Sequence, residues 1–396
     1  MGTDPFGRFP WFVLQRILSN LPSLPALHSL CKASPDIAGF LYQNNDLFAR
    51  IVDAIIDNPV RERGLAPHVQ DIIRLIILVW TPMQELDTDI LGILHYVQER
   101  RLEYPSNLKT ISPSTPSAIL YRLLRLIPRL RCLIHTYFHS TIKRCLQLQL
   151  EHLPPKTLFY STRPVLDLSR RPQRGIPYTP VDIGPPTWVE EQRLLSSFLC
   201  IVLFYELRKK RIECSLAIED GETVSALLDN NVEMFWRKVL WERSAEGQEE
   251  QIATLLHWLD QQADGRENIY SWLLSAKASE DYDHCCQRYI TVITAQMDIS
   301  DIMDNDLNDR RSSRGMRCLW SCKYDPRSPL KGLSLSVFRP YGLVFWDGVR
   351  MDALGFPNRL ISHRIWFAWS SIFTEENWEE LLRRQSAIEA GAQFQD

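Results

Sequence analysis

The chain has 396 residues, of which 45% are hydrophobic and 23% are charged, and its formal net charge is −3. This composition is typical of a folded protein rather than a disordered one, and the length predicts two or three cooperating units. Because so mild an acidity creates no field that would attract a polyanion, we expect no nucleic-acid partner.

The sequence pattern predicts neither a membrane-spanning helix nor a secretory signal. The longest apolar runs, residues 72–80 and 194–205, fall far short of the roughly 20 residues that cross a bilayer, so we expect no membrane partner. The residues around Asp4, Pro5 and Pro10 lack the basic-then-apolar order of a secretory signal. Nine cysteines, an odd number, favour reduced thiols over a disulfide framework. We therefore predict a cytoplasmic or nuclear protein.

Three short helices are predicted within the first 43 residues. Apolar residues recur at helical spacing up to a Leu-Pro stop at residues 21–22, and a leucine-rich second helix and then a third helix follow. The apolar and proline positions of this pattern are Phe9, Pro10, Val13, Leu14, Ile17, Leu18, Leu21, Pro22, Leu24, Leu27 and Leu30. Helices this short cannot bury their apolar faces by themselves. The apolar surface that they leave uncovered must therefore pack against the rest of the chain or a partner.

Beyond residue 43 the helical period dominates and period-two alternation is scarce, so the sequence predicts a mainly α fold with an irregular helical body. The longest apolar stripe predicts a helix over 117–148, which Pro128 should kink or split. A last helix should begin near Glu375, with Thr374 as its N-cap. Further helices are predicted over 45–57, 69–80, 85–102, 188–211, 223–241, 248–276 and 281–303.

Eight prolines crowd the segment from residue 154 to residue 186. Since proline at this density forbids a regular helix, we predict an extended connector and the main domain boundary there. The predicted organisation is a module over 1–43, a helical segment over 44–153, the proline-rich connector over 154–186, and a helical C-terminal domain over 187–396 with an irregular aromatic-rich end.

Known catalytic motifs do not occur in the sequence. It contains no phosphate-binding loop, dinucleotide fingerprint or nucleophile elbow. His135 and His139 have the helical spacing of two zinc ligands, but Thr136 occupies the position of the catalytic glutamate of a metalloprotease. We therefore predict a protein that is not an enzyme, with no catalytic residues and no cofactor.

Two further sets contain residue types that bind metals. Soft ligands that lack a paired C-x-x-C spacing are His284, Cys285, Cys286, Cys318 and Cys322. Asp304, Asp306 and Asn308 match the first three ligand positions of a calcium-binding loop. The glycine that such a loop needs is replaced by Asp309. We predict no bound metal at either set, and we expect the cysteines to be buried thiols.

Basic residues form two groups on predicted helices. Arg122, Arg125 and Arg129 share the polar face of the 117–148 helix, and residues 209–211 end the 188–211 helix. A basic groove is one interpretation. A solvated polar face for the first group and favourable placement at a helix C-terminus for the second is the interpretation that we favour.

The N-terminal pattern resembles the F-box, a three-helix module that docks on a Skp-type adaptor and so joins a cullin ubiquitin ligase. The matching positions are Pro10, Leu14, Ile17, Leu18, Leu21 and Pro22. The sequence departs from that family at Phe9, which replaces a leucine, and at Phe12, where a glutamate is common. Residues 33–35 also replace the usual hydrophilic end with its tryptophan.

The chain as a whole is similar to F-box-like proteins of filamentous fungi, in which such a start precedes a long helical body. This similarity also covers residues 188–193, 204–207 and 341–347. It implies a substrate receptor or scaffold that links an unknown protein target to a Skp/cullin ubiquitin ligase. The residues it implies for adaptor binding are Pro10, Val13, Leu14, Ile17, Leu18, Leu21, Pro22 and Leu27.

An alternative is a non-catalytic helical protein in which the F-box-like segment is only part of the chain's own core. The two hypotheses differ in what they predict for three apolar side chains. Exposure of Leu14, Ile17 and Leu18 is expected if they bind an adaptor, and burial is expected if they are core.

Overall fold

The structure is a computed structural model that describes residues 4, 6–58, 64–82, 110–154, 175–214, 231–239, 245–275, 313–356 and 362–390. In these residues helices dominate and two short strands form the sheet structure, so the prediction of a mainly α fold is confirmed. The helices predicted over 85–102 and 281–303 lie outside the described residues.

Among the described residues up to Trp80 the structure has the helices α1 Trp11–Ser19, α2 Leu24–Ala33, α3 Pro35–Gln43, α4 Asn45–Ile56 and α5 Pro67–Trp80. Serines cap the starts of α2 and α3. Ser23 Oγ accepts a hydrogen bond from Ala26 N at the start of α2, and Ser34 Oγ accepts one from Ile37 N at the start of α3. A proline in the first turn of α2 and of α3 fits because its missing N–H would have no partner there.

The first three helices pack on α4. Helix α1 contacts α4, and α2 contacts both α3 and α4. The fully buried side chains Leu18, Leu27, Ile37, Leu41 and Phe48 form the core between them. The apolar faces of the short helices are thus partly covered by α4, which lies beyond the predicted end of the module at residue 43.

Helix α6, Ser117–Cys145, is tied to the same N-terminal group. Tyr121 Oη donates to Ala38 O at 2.6 Å, and Ser117 Oγ donates to Leu41 O at 3.3 Å. The predicted helix over 117–148 is confirmed to within three residues, and of the two effects expected of Pro128, a kink or a split, the split does not occur. Pro128 lies inside one continuous helix.

The other elements follow in chain order. They are β1 Leu150–His152, β2 Ile176–Tyr178, α7 Trp188–Cys214, α8 Val232–Val239, α9 Ala245–Ala263, α10 Ile269–Ser275, α11 Arg314–Tyr324, α12 Gly348–Ala353, α13 Ser362–Ser370 and α14 Glu375–Glu389. Short 3-10 helices occupy Phe6–Arg8, Arg266–Asn268 and Leu335–Tyr341.

Two end signals show how local chemistry sets helix bounds. The single helix predicted over 248–276 is wrong, because Asp264 and Gly265 have φ values of 53° and 125° that end α9 before α10 begins. The predicted start of the last helix is confirmed. Thr374 caps α14 in a capping box with Asn377.

The chain forms two compact units, each assembled from segments that are distant in sequence. As far as the structure describes them, the first takes in Met1–His135, Glu191–Ala245 and Glu267–Thr294, and the second takes in Thr136–Glu190, Glu246–Arg266 and Ala295–Asp396. The predicted linear order of domains therefore differs from these units. Two of the divisions fall within the long helices α6 and α7, where no composition change marks them.

The described end of the proline-rich connector is packed into the second unit. Strand β2 pairs antiparallel with β1, with Leu150 opposite Tyr178, and Val181 N donates to Ala353 O at 2.9 Å. Residues 155–174 of the predicted connector lie outside the described residues. The remaining segment is held by backbone pairing rather than extended between two domains.

A buried ion pair joins two distant segments of the second unit. Arg350 Nε donates to both carboxylate oxygens of Glu190 at 3.0 Å, and the two side chains are 1% and 0% exposed. The carboxylate also accepts hydrogen bonds from Thr187 N at 2.9 Å and Asp347 N at 3.0 Å. Glu190 therefore completes the capping box of α7 while it neutralises a buried guanidinium.

The guanidinium of Arg350 has partners on its other side as well. Nη1 donates to Gly184 O at 3.0 Å and Nη2 donates to Pro185 O at 2.5 Å. The guanidinium carbon also lies 4.8 Å from the ring centre of Phe138. Each of the three guanidinium nitrogens thus donates a hydrogen bond, and such pairing is what allows a charge to be buried.

We expect Arg350→Met to lower the free energy of unfolding by about 3–5 kcal/mol, because it leaves the Glu190 carboxylate buried without its cation. Chemical denaturation followed by circular dichroism measures the loss. Arg383→Met is the matched control, since Arg383 makes an exposed pair with Glu380 and should change stability little. Equal losses in the two variants would contradict this role for the buried pair.

Candidate interaction surface

The segment before α1 is held in place by one carboxylate. Asp4 Oδ2 accepts hydrogen bonds from Ser34 Oγ at 2.6 Å and from Asp36 N at 3.1 Å, and Asp4 Oδ1 accepts one from Phe6 N at 2.9 Å. The hydrogen bond from Ser34 is the main reason why the pKa of Asp4 lies below its usual range. This Asp4 clamp connects the start of the chain to the start of α3.

Aromatic side chains lie exposed where the clamped segment enters α1. Phe9, Trp11 and Phe12 are 46%, 63% and 60% exposed. The Trp11 and Phe12 rings meet edge-on with their centres 6.4 Å apart, and Phe9 contacts Phe6 in the same way at 6.0 Å. Large aromatic groups left in water on a hydrogen-bonded segment are a recognised mark of an interaction surface.

Several residues predicted to bind an adaptor lie at or near this surface. Pro10, the N-cap of α1, and Pro22 are exposed, while Val13, Ile17 and Leu21 are half-buried. Val13 and Ile17 are four residues apart on α1 and therefore share one flank of the helix. Together with Phe9, Trp11 and Phe12, these five residues form what we term the α1 surface.

The other predicted adaptor-binding residues are core residues. Leu14 is 7% exposed, and Leu18 and Leu27 are fully buried. Leu14 and Leu18 are four residues apart and form the face of α1 on the side where the helix packs on α4. As surface anchors these three leucines are corrected to interior residues, because the face needed to fold α1 is not free to bind a partner.

Sequence reasoning missed the largest exposed groups. The sequence pattern assigns no role to Trp11, it includes Phe9 only as one apolar position among several, and Phe12 enters only as a departure from the F-box pattern. The signal was nevertheless present, because two adjacent aromatic residues straight after a proline cannot both face the interior of a helix that buries only one side.

The sets that contain metal-binding residue types do not form a site in the part of the chain that the structure describes. No group of three or more His, Cys, Asp and Glu side chains is arranged there to hold a metal ion. Cys318 and Cys322 lie buried on α11, and burial raises the pKa of Cys318 to about 11 and that of Cys322 well above its usual value. Thiols so buried disfavour the thiolate that binds metals. Residues 284–286 and 304–309 lie outside the described residues.

One member of each basic group has a specific partner. Lys210 Nζ donates to Thr81 O at 3.3 Å, and Arg122 pairs with the buried carboxylate of Glu206. The prediction of a simply solvated face is therefore wrong for Arg122. No helix within the described ranges is both long and apolar enough to cross a membrane.

Comparisons with known proteins assign no role to the α1 surface. No family profile, curated protein or solved structure matches the chain.

Replacing Asp4 by Ala should speed hydrogen exchange at the amides of Phe6 and Asp36 and leave α4 unchanged, because the clamp alone ties these amides together. Exchange measured by NMR at neutral pH tests this. Asp46→Ala removes an exposed carboxylate of α4 and serves as the control. Unchanged exchange in Asp4→Ala would contradict the clamp.

The Asp4 clamp should also have a defined pH dependence. Since the folded-state pKa of Asp4 is below the unfolded-state value, the clamp's stabilisation is fully present above the unfolded-state value and is lost as pH falls through the folded-state pKa. The Phe6 and Asp36 amide shifts should therefore titrate below the ordinary aspartate range. Titration at or above the ordinary range would show that Ser34 does not stabilise the carboxylate.

Proposed function

We propose that the chain is a protein-interaction subunit of the F-box type, whose α1 surface docks on a Skp-type adaptor and links an unknown target to a cullin ubiquitin ligase. The observation that supports this most is the exposure of Phe9, Trp11 and Phe12 on a segment that the Asp4 clamp holds in place. Anchor residues of protein interfaces are enriched in such aromatic groups.

Different residues of α1 serve folding and remain exposed, and this separation also favours docking. One face of the helix carries Leu14 and Leu18 and is used for folding, while Trp11 and Phe12 are left in water. A docking surface that folding does not need can bind a partner without unfolding the module. In this proposal the docking residues are the eight residues of the α1 surface. The buried residues Leu14, Leu18 and Leu27 hold α1 and α2 in the fold and do not contact the adaptor.

The resemblance to the F-box supplies the identity of the partner. Pro10, Ile17, Leu21 and Pro22 match that family and also belong to the α1 surface. Phe9 and Phe12 depart from it by placing larger apolar groups at its margin. An adaptor that fits this chain should therefore present a wider apolar groove than the usual one.

A second candidate function has one specific observation in its favour. The burial of Leu14 and Leu18 was the outcome expected if the F-box-like segment is part of the chain's own core. In that case the chain is a non-catalytic helical protein that binds no adaptor. The exposed aromatic residues then have no assigned partner.

We expect Trp11→Asp to weaken adaptor binding by at least about 30-fold, since an anchor residue contributes about 2 kcal/mol or more. Calorimetric titration of the full chain with a fungal Skp-type adaptor measures this. Because Trp11 is exposed, the variant should keep the wild-type melting temperature.

Tyr324→Asp is the matched control, because Tyr324 is 55% exposed and belongs to the second unit. It should bind the adaptor like the wild type. If the wild-type chain does not bind at all, the second candidate is supported. If the wild type binds and Trp11→Asp binds equally well, the α1 surface is not where the adaptor docks.

A further inference from the structure

A second charged cluster lies in the first unit, built from four elements. The guanidinium carbon of Arg122 on α6 lies 4.0 Å from the ring centre of Trp80, the last residue of α5. Arg122 Nη2 donates to Oε1 of Glu206 on α7, and the same oxygen accepts a hydrogen bond from Tyr270 Oη on α10 at 2.6 Å. We term Trp80, Glu206 and Tyr270 the cage and Arg122 its occupant.

The ion pair within the cage is unequal in its burial. The Glu206 side chain is only 4% exposed, whereas the Arg122 side chain is 40% exposed. In the Glu190–Arg350 pair of the other unit both side chains are within 1% of full burial. When a buried carboxylate pairs with a cation that is partly exposed, another cation can replace that partner. When both members of the pair are buried, such an exchange is blocked.

The walls of the cage fit a guanidinium. An indole face attracts a planar cation, and a carboxylate accepts its fork of donors, so the combination suits arginine better than lysine. Tyr270 is stacked on Tyr205 at 5.3 Å, which fixes its ring, and burial raises the pKa of its hydroxyl, which therefore stays a donor to Glu206 at neutral pH. The carboxylate is thus positioned before any external ligand arrives.

One group of the cage remains unused. Trp80 Nε1 is buried and has no hydrogen-bond partner within the described ranges. The indole nitrogens of Trp236, Trp366 and Trp369 are in the same state, so the unused donor is not peculiar to the cage.

We propose that the cage is a recognition site for an arginine side chain of a partner protein, and that Arg122 occupies it from within the chain until such an arginine displaces it. A second cation is not expected to enter beside Arg122, because Arg122 already pairs with the Glu206 carboxylate. Exchange of one guanidinium for another keeps the charge of the cage constant. The site stands independently of adaptor docking by α1.

The test uses the full chain and the probe N-acetyl-arginine methylamide, with N-acetyl-lysine methylamide as the matched probe. Arg122→Ala should bind the arginine probe at least about 10-fold more tightly than the wild type, whose free cage is a minor population. The lysine probe should bind Arg122→Ala more weakly than the arginine probe does. Calorimetric titration and the shift of the melting temperature give two independent readouts.

Arg122→Ala combined with Glu206→Gln is the control, because it has the same empty volume without the carboxylate, and it should not bind the arginine probe. Equal binding by the single and double variants, or no binding by Arg122→Ala, would overturn the proposal. Arg122→Met keeps the aliphatic stem over Trp80 and should behave like Arg122→Ala. If both single variants unfold in buffer, the arginine probe should refold them, and failure to do so also overturns it.

Discussion

The structure depends on a constraint that the N-terminal helices share: each is too short to bury its own apolar face. Helices α1, α2 and α3 have nine, ten and nine residues, and helices of this length are marginal in water without tertiary packing. Helices α4 and α6 cover the apolar faces of these short helices. Phe48 of α4 and Tyr121 of α6 contact each other there, with their ring centres 4.9 Å apart. The three short helices are therefore stabilised by packing within the first unit.

That constraint also separates folding residues from binding residues. A helix of two and a half turns can bury one stripe, and in α1 the stripe is Leu14 and Leu18. What remains apolar on α1 is exposed at its start and half-buried along one flank. Function, in this account, uses the apolar surface that folding has left over.

Sequence reasoning succeeded where a structure is decided locally. The long apolar stripe of α6 and the Thr374 cap of α14 are local patterns, and both were predicted. Pro128 was read locally too, but its position inside a long packed helix outweighed its tendency to break one. The break at Asp264 and Gly265 left only a weak trace, because a single glycine in a periodic segment does not reveal a positive φ.

Long-range pairs lay beyond reach from one sequence. Glu190 and Arg350 are 160 residues apart, and Glu206 and Arg122 are 84 apart, so no spacing rule joins them. The same limit explains the division into two interleaved units, which is set by tertiary contact and falls inside continuous helices. For the surface of α1, the sequence could predict which positions are apolar but not which of them the chain would cover.

Hydrogen exchange of the full chain with and without a Skp-type adaptor tests the central claim most directly. The account predicts slower exchange upon adaptor binding in residues 9–22, with α4 and α14 unchanged, because docking covers the α1 surface and leaves the core as it is. Protection that appears elsewhere while residues 9–22 exchange as in the free chain would contradict it.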